Sequence, residues 1–226
     1  MKKIIITVDG WSSCGKSTMA RQLAKKLNYI FIDSGAMYRA ITLYFLRHNV
    51  ELSDEHAIDN ALNHITLKFI FNQDTGNNEI YLNDENIEHL IRDMNVAQKV
   101  SEVAALKAVR EFAVAQQQQI GANKGIVMDG RDIGTAVFPN AELKIFMTAD
   151  VAVRVERRFK ELSEKNPGIT LEQVKANLET RDYIDSNREI SPLRKAEDAI
   201  VLDNSNLNPQ EQFELALNWA HKKIEG

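Results

Sequence analysis

Cysteine occurs once in the 226 residues, at Cys14. No disulfide can form within the chain, and a reducing compartment is the natural expectation. Histidine is sparse and scattered: His48, His56, His64, His89 and His221 show neither HxxxH nor HExxH spacing, which argues against a zinc centre. No uncharged apolar run approaches the roughly 20 residues that a bilayer span needs. The apolar run after Met1 is short and has no small-residue cleavage site behind it, so we expect no secretory signal, no membrane partner and a cytoplasmic location. A basic surplus is missing too. With 28 Lys and Arg against 32 Asp and Glu, the formal net charge is -4. That argues against nucleic acid as a partner and leaves a nucleotide open as a ligand. There is no repeat of fixed period and no uncovered heptad seam, and we expect a monomer.

What is present is a chain of ordinary globular composition, 44% hydrophobic and 27% charged, long enough to bury a full core. Residues 2–8 (KKIIITV) form a β-branched run of strand length ending at Asp9-Gly10, as a buried parallel strand does. Met19, Leu23 and Leu27 then recur at helical spacing, and a short strand follows over 29–32. Helical spacing returns over 36–47, and Ser53 is placed to cap a further helix. Residues 65–90 alternate apolar and polar positions around a turn at Gly76, which predicts an antiparallel insert. Residues 94–120 read as two helices broken near Leu106. Strands over 126–128, 143–147 and 199–202 are separated by helices over 151–164 and 171–188, and a helix over 209–224 closes the chain. Apolar strands alternating with helices predict an α/β fold: a five-stranded parallel sheet with helices on both faces, a small antiparallel insert and a helical lid.

The strongest motif is Gly10-Trp11-Ser12-Ser13-Cys14-Gly15-Lys16-Ser17, a GxxxxGK[ST] match between a predicted strand and a predicted helix. Its glycines allow a nest of backbone N–H donors, and the helix start adds positive potential. Lys16 can bridge terminal phosphates, and the Ser17 hydroxyl can hold magnesium. Thr18 completes the segment expected to hold the donor nucleotide. Cys14 fits by size, with a reactive thiol at the helix start as the alternative, and Trp11 reads as a packing residue rather than an adenine stack. Asn123-Lys124 precedes its strand and lacks the following Asp of a guanine-reading NKxD segment, which disfavours a switch GTPase.

Three further groups bear charge where a phosphate would need it. Asp33-Ser34-Gly35-Ala36-Met37-Tyr38-Arg39 follows the second strand, and Arg39 can grip an acceptor phosphate. Asp129-Gly130-Arg131-Asp132 ends another strand, with Asp129 as a carboxylate backing magnesium and Arg131 and Asp132 projecting into the same cleft. Arg154, Arg157 and Arg158 share one helix face, and Arg181, Asp185 and Arg188 share another. Such trios are often salt-bridged surfaces, but phosphoryl transfer also uses cations in this way. The Asn166-Pro167-Gly168 break between the two helices suits a mobile lid.

The series GWSSCGKST, DSGAMYRA, SEVAALKAVRE, VMDGRDIGTAVFP, KIFMTA, RVERR and RDYIDSNRE resembles the bacterial cytidylate kinase family over nearly the whole chain. The resemblance implies a single P-loop kinase domain over 1–226, with the antiparallel insert of the acceptor region at about 62–95 and a lid at about 154–172. It implies transfer of the γ-phosphoryl group of ATP, with Mg2+, to CMP or dCMP. It places Arg39, Arg131 and Arg188 on the acceptor phosphate, Ser101, Arg110 and Asp132 on the pyrimidine, and Arg181 and Asp185 on the sugar. Arg157 and Arg158 fall near the donor phosphates. Beside these, we expect Ser34 and Tyr38 to meet the substrate and Asp33 to orient the acceptor phosphate side or its arginine clamp. Lys16, Arg131, Arg157, Arg158, Arg188 and Asp33 form the expected catalytic set, and Ser17 and Asp129 the metal set.

Cytosine carries an amino donor beside two acceptors, which a carboxylate such as Asp132 with donors from Arg110 and Ser101 complements; uracil would set an oxygen against the carboxylate. A kinase of UMP, AMP or another small acceptor on the same fold, and a nucleotide-dependent switch without kinase turnover, stay open at this point. Where many family members read GPSGAGKGT, this chain has Trp11, Ser13, Cys14 and Ser17.

Overall fold

The computed structural model describes residues 2–164 and 166–226. Its contacts divide into two compact units, one running up to Phe31 and resuming at Gly121–Gly226, the other comprising Ile32–Ile120.

The first unit is built on the expected five-stranded parallel sheet: β1 (Ile5–Gly10), β2 (Ile30–Asp33, which crosses the unit boundary), β6 (Ile126–Gly130), β7 (Leu143–Thr148) and β8 (Ile200–Asp203), in the order β2-β6-β1-β7-β8. β1 begins later than the apolar pattern suggests. Lys2 and Lys3 are exposed, and the strand runs from Ile5 through Asp9 into Gly10. Its register sets Val8 opposite Asp129, Asp9 opposite Gly130 and Gly10 opposite Met147. The phosphate-loop motif and the Asp129-Gly130-Arg131-Asp132 turn therefore leave the same end of adjacent strands, where open α/β sheets bind ligands.

Ile4, Ile6, Val8, Val127, Leu143, Ile145 and Met147 form the interior of this unit with Met19 and Leu23 of α1 (Lys16–Leu27) and Ala216 and Ala220 of α8 (Pro209–Glu225). Burying each large aliphatic side chain contributes about 1.5–3 kcal/mol. α6 (Val151–Ser163) and α7 (Leu171–Asn187) follow β7, with Asn166-Pro167-Gly168 between them. A Thr170–Gln173 capping box starts α7, and Asn208 with Glu211 and Pro209 starts α8.

The second unit packs α2 (Ser34–Arg47), α3 (Glu55–Asn63), α4 (Met94–Ala105) and α5 (Lys107–Ile120) around Met37, Ile41, Phe45, Ile80, Ile87 and Val109. The break at Leu106 is as expected. Asp54, rather than Ser53, caps α3, its carboxylate accepting from the Ala57 amide at 3.0 Å. Both residue types cap well, and the one adjacent to the first helical residue holds the position. The insert has one strand more than a hairpin: β3 (Leu67–Asn72), β4 (Asn77–Leu82) and the two-residue β5 (Glu85–Asn86) form an antiparallel sheet. Among the described residues, no helix is long and apolar enough to cross a membrane.

Candidate active site

The phosphate loop is shaped by backbone geometry that few residues tolerate. Gly10 sits at φ +144, and a Cβ there would fall 2.0 Å from the Met147 carbonyl oxygen, so only glycine fits. Ser13 (φ 61) and Gly15 (φ 84) adopt left-handed conformations, which turn successive amides toward one concavity. α1 starts at Lys16 with no side-chain cap, leaving its first amides for an anion. Cys14 is fully buried in the sheet's core and Trp11 packs partly against it, which agrees with size and packing as their roles.

Lys16 is buried, with Nζ donating to the Trp11 carbonyl at 2.5 Å. Burial and the neighbouring Arg131 lower its pKa to about 8, against the opposing pull of Asp129 and Asp9. The Ser17 hydroxyl donates to Asp129 Oδ2 at 2.6 Å. This pair of hard oxygens at the mouth of the loop fits magnesium, which takes few protein ligands and fills its octahedron with phosphate and water.

Beside the loop lies an arginine cluster held by two carboxylates. Arg131 Nε donates to Asp185 at 2.9 Å and its Nη2 to Ser12 Oγ at 2.8 Å. Arg188 Nη2 donates to Asp132 Oδ1 at 3.1 Å, and Arg188 lies 3.9 Å from Asp185. Burial alone would raise the Asp185 pKa, but Arg131, Arg181 and Arg188 outweigh it and hold the carboxyl below its ordinary value. Thus Arg131 and Asp132 share one electrostatic neighbourhood with Arg181, Asp185 and Arg188, which come from a distant part of the chain. Arg157 lies apart from it, donating twice to Asn204 at 3.0 Å, and Asn204 in turn donates to the Cys14 carbonyl of the loop at 2.8 Å. Arg158 pairs with Glu161 at 2.8 Å.

The second unit carries its own charged group. Asp33 caps α2, accepting from the Ala36 amide at 2.9 Å, and its other oxygen accepts from Arg39 at 2.7 Å. Arg92 approaches the same oxygen at 4.0 Å. Burial pushes this carboxyl up, and the two arginines reverse that and hold it low. Asp33 is therefore in place to orient Arg39. Arg110 on α5 is almost fully buried, donating to the Ala104 carbonyl at 3.1 Å with its guanidinium 5.4 Å from the Tyr38 ring. Ser34 and Ser101 are buried in the same unit, at the start of α2 and on α4.

Sequence reading overlooked two residues with clear work here. Arg92 is one. The other is Asp9, whose buried carboxylate accepts from the Ile133 amide at 2.8 Å and the Gly134 amide at 2.7 Å, fixing the turn that carries Arg131 and Asp132. Burial raises its pKa to about 6 despite those bonds. Its position directly before Gly10 was the available signal, and it reads there as an ordinary turn residue.

A family profile described as Cytidylate kinase matches residues 6–222. The chain belongs to the cytidylate kinase family. Members with that name include one from Bacteroides thetaiotaomicron, 54% identical over 217 residues that cover 95% of each chain. Another, from Flavobacterium psychrophilum, is 54% identical over 221 residues covering 96% of this chain and 98% of its own. Among solved structures, a shikimate kinase from Acinetobacter baumannii in complex with shikimate aligns with a TM-score of 0.51 at 12% identity, over 98% of this chain and 94% of that one. That likeness shows the P-loop kinase fold alone. For this cytidylate kinase family member, the resemblance expected from the motifs holds over nearly the whole chain.

Proposed function

We propose that the protein transfers the γ-phosphoryl group of MgATP to CMP or dCMP, giving ADP and CDP or dCDP. The observation that carries this reading is the phosphate loop beside the Arg131, Asp132, Arg181, Asp185 and Arg188 cluster, in a chain whose family match spans residues 6–222. In the reaction, an oxygen of the acceptor phosphate attacks the γ-phosphorus in line, the bond to the bridging oxygen of ADP breaks, and no enzyme atom bonds to phosphorus.

Residues 10–18 cradle the donor phosphates, and Lys16 balances the charge that spreads over the transferred oxygens. Ser17 and Asp129 would hold Mg2+, which would neutralise phosphate charge when bound. Arg39, Arg131 and Arg188 grip the acceptor phosphate, with Asp33 orienting Arg39 and Ser34 and Tyr38 lining the acceptor. Asp132, Ser101 and Arg110 read the cytosine edge, while Arg181 and Asp185 take the sugar. Arg157 and Arg158 leave Asn204 and Glu161 to reach the donor phosphates when a lid over about 154–172 closes. The protein works as a cytoplasmic monomer.

The test is ADP release from MgATP with CMP, dCMP, UMP, AMP or no acceptor, with Lys16→Ala as the blank. Turnover concentrated on CMP and dCMP is the expected result. Equal release without acceptor, or turnover confined to another monophosphate, overturns the base-reading assignment.

A further inference from the structure

The phosphate loop has a second support that phosphate chemistry does not require. All three polar groups of Ser12 are taken by side chains from elsewhere in the same unit. Its amide donates to Asp182 Oδ1 at 3.2 Å, its carbonyl accepts from Arg154 Nη1 at 3.3 Å, and its hydroxyl accepts from Arg131. Asp182 and Arg154 are also bonded directly to each other, closing a ring around the Ser12 backbone. Arg154 is buried, its Nε donates to the Ala149 carbonyl at 3.2 Å, and its guanidinium lies 5.9 Å from the Trp11 ring centroid. Asp182 projects from α7 and Arg154 from α6, so the two helices flanking the Asn166-Pro167-Gly168 break both grasp one residue of the loop.

That grasp sits next to the loop's most strained position. Ser13 has φ 61, a left-handed conformation that a β-carbon disfavours and that persists only where surrounding contacts over-determine it. With Gly10 wedged against Met147 on one side and α1 fixed on the other, the ring on Ser12 supplies the remaining constraint.

We propose that Asp182 and Arg154 are positioning residues that hold the phosphate loop in its donor-binding conformation and tie it to the packing of α6 against α7. They touch the loop's backbone, so their effect falls on the donor nucleotide. The inference rests on the kinase reading for its kinetic arm and is independent of it for its spectroscopic arm.

The test compares wild type with Asp182→Ala and Asp182→Asn, all in a Trp219→Phe background that leaves Trp11 as the sole tryptophan. Losing one charge-assisted contact in this setting predicts a KM for ATP raised on the order of tenfold, with the KM for CMP within about twofold of wild type. Trp11 emission shifts in Asp182→Ala, and ADP titrated against that emission binds correspondingly more weakly. Asp182→Asn keeps an oxygen for the Ser12 amide and recovers most of the ADP affinity. An unchanged ATP KM and Trp11 emission in Asp182→Ala, or equal rises in KM for both substrates, overturns the proposal. Because ADP binding read by Trp11 needs no acceptor, failure of the CMP assignment and failure of the positioning role are distinguishable.

Discussion

Replacing Asp132 by alanine separates its pairing with Arg188 from the base-reading role proposed for it. The carboxylate and Arg188 meet at 3.1 Å with only 3% of each side chain exposed. Removing one member of a buried ion pair strands the other charge and costs about 3–5 kcal/mol. Here Arg188 retains the Ser191 carbonyl, at 2.8 Å from Nε and 2.6 Å from Nη2, and Asp185 at 3.9 Å. The lower end, about 3 kcal/mol, is therefore expected. For a chain of this size each kcal/mol moves the melting temperature by roughly 2–4 °C, so Asp132→Ala should melt roughly 6–12 °C lower. Asp132→Asn retains an oxygen for Arg188 and should lose less. Assayed well below the melting point, Asp132→Ala should raise the KM for CMP about 10–100-fold, the worth of a hydrogen bond to a charged group, and leave the KM for ATP nearly unchanged. A melting shift under about 2 °C would refute the buried-pair argument. Equal rises in both KM values would refute the base-reading role.

Two further outcomes follow from the loop itself. Lys16 titrates at about 8 because burial and Arg131 disfavour its charge, so it is mostly charged at pH 7 and loses its proton as pH rises through that value. ATP affinity measured by calorimetry from pH 7 to 9.5 should fall across this range, and Lys16→Arg, which stays protonated, should flatten the profile; a flat wild-type curve would contradict the assignment. Gly10→Ala places a methyl 2.0 Å from the Met147 carbonyl oxygen at φ +144. Urea unfolding should show a loss of about 1–3 kcal/mol or more, together with loss of ATP binding, and an unchanged curve would rule out the close approach.

The sheet was legible because its strands are short apolar runs, and the phosphate loop because a spaced motif sat between a strand and a helix. The residues left unread are those whose meaning lies in distant partners. Arg157 looks like a free lid cation until Asn204, 47 positions away, is seen to receive it. Asp182 lies within a helix rich in charge, where a solvated face is the ordinary reading, and its partners Ser12 and Arg154 come from other elements. β5 is two residues long, too short for any periodicity to register. The cap of α3 turned on a choice between adjacent Ser53 and Asp54 that composition does not decide.

Asp9 makes β1 a shared spine. The strand delivers the phosphate loop through Gly10 and, one residue earlier, accepts the Ile133 and Gly134 amides of the neighbouring turn. Neither segment is a free-standing cassette. Grafting residues 129–135 onto a related kinase without a carboxylate before its first loop glycine would leave two buried amides without an acceptor. Conversely, a one-residue slip of β1 would misplace the phosphate loop and the turn that carries Arg131 and Asp132 in a single step. The two segments are therefore set in place, and displaced, together.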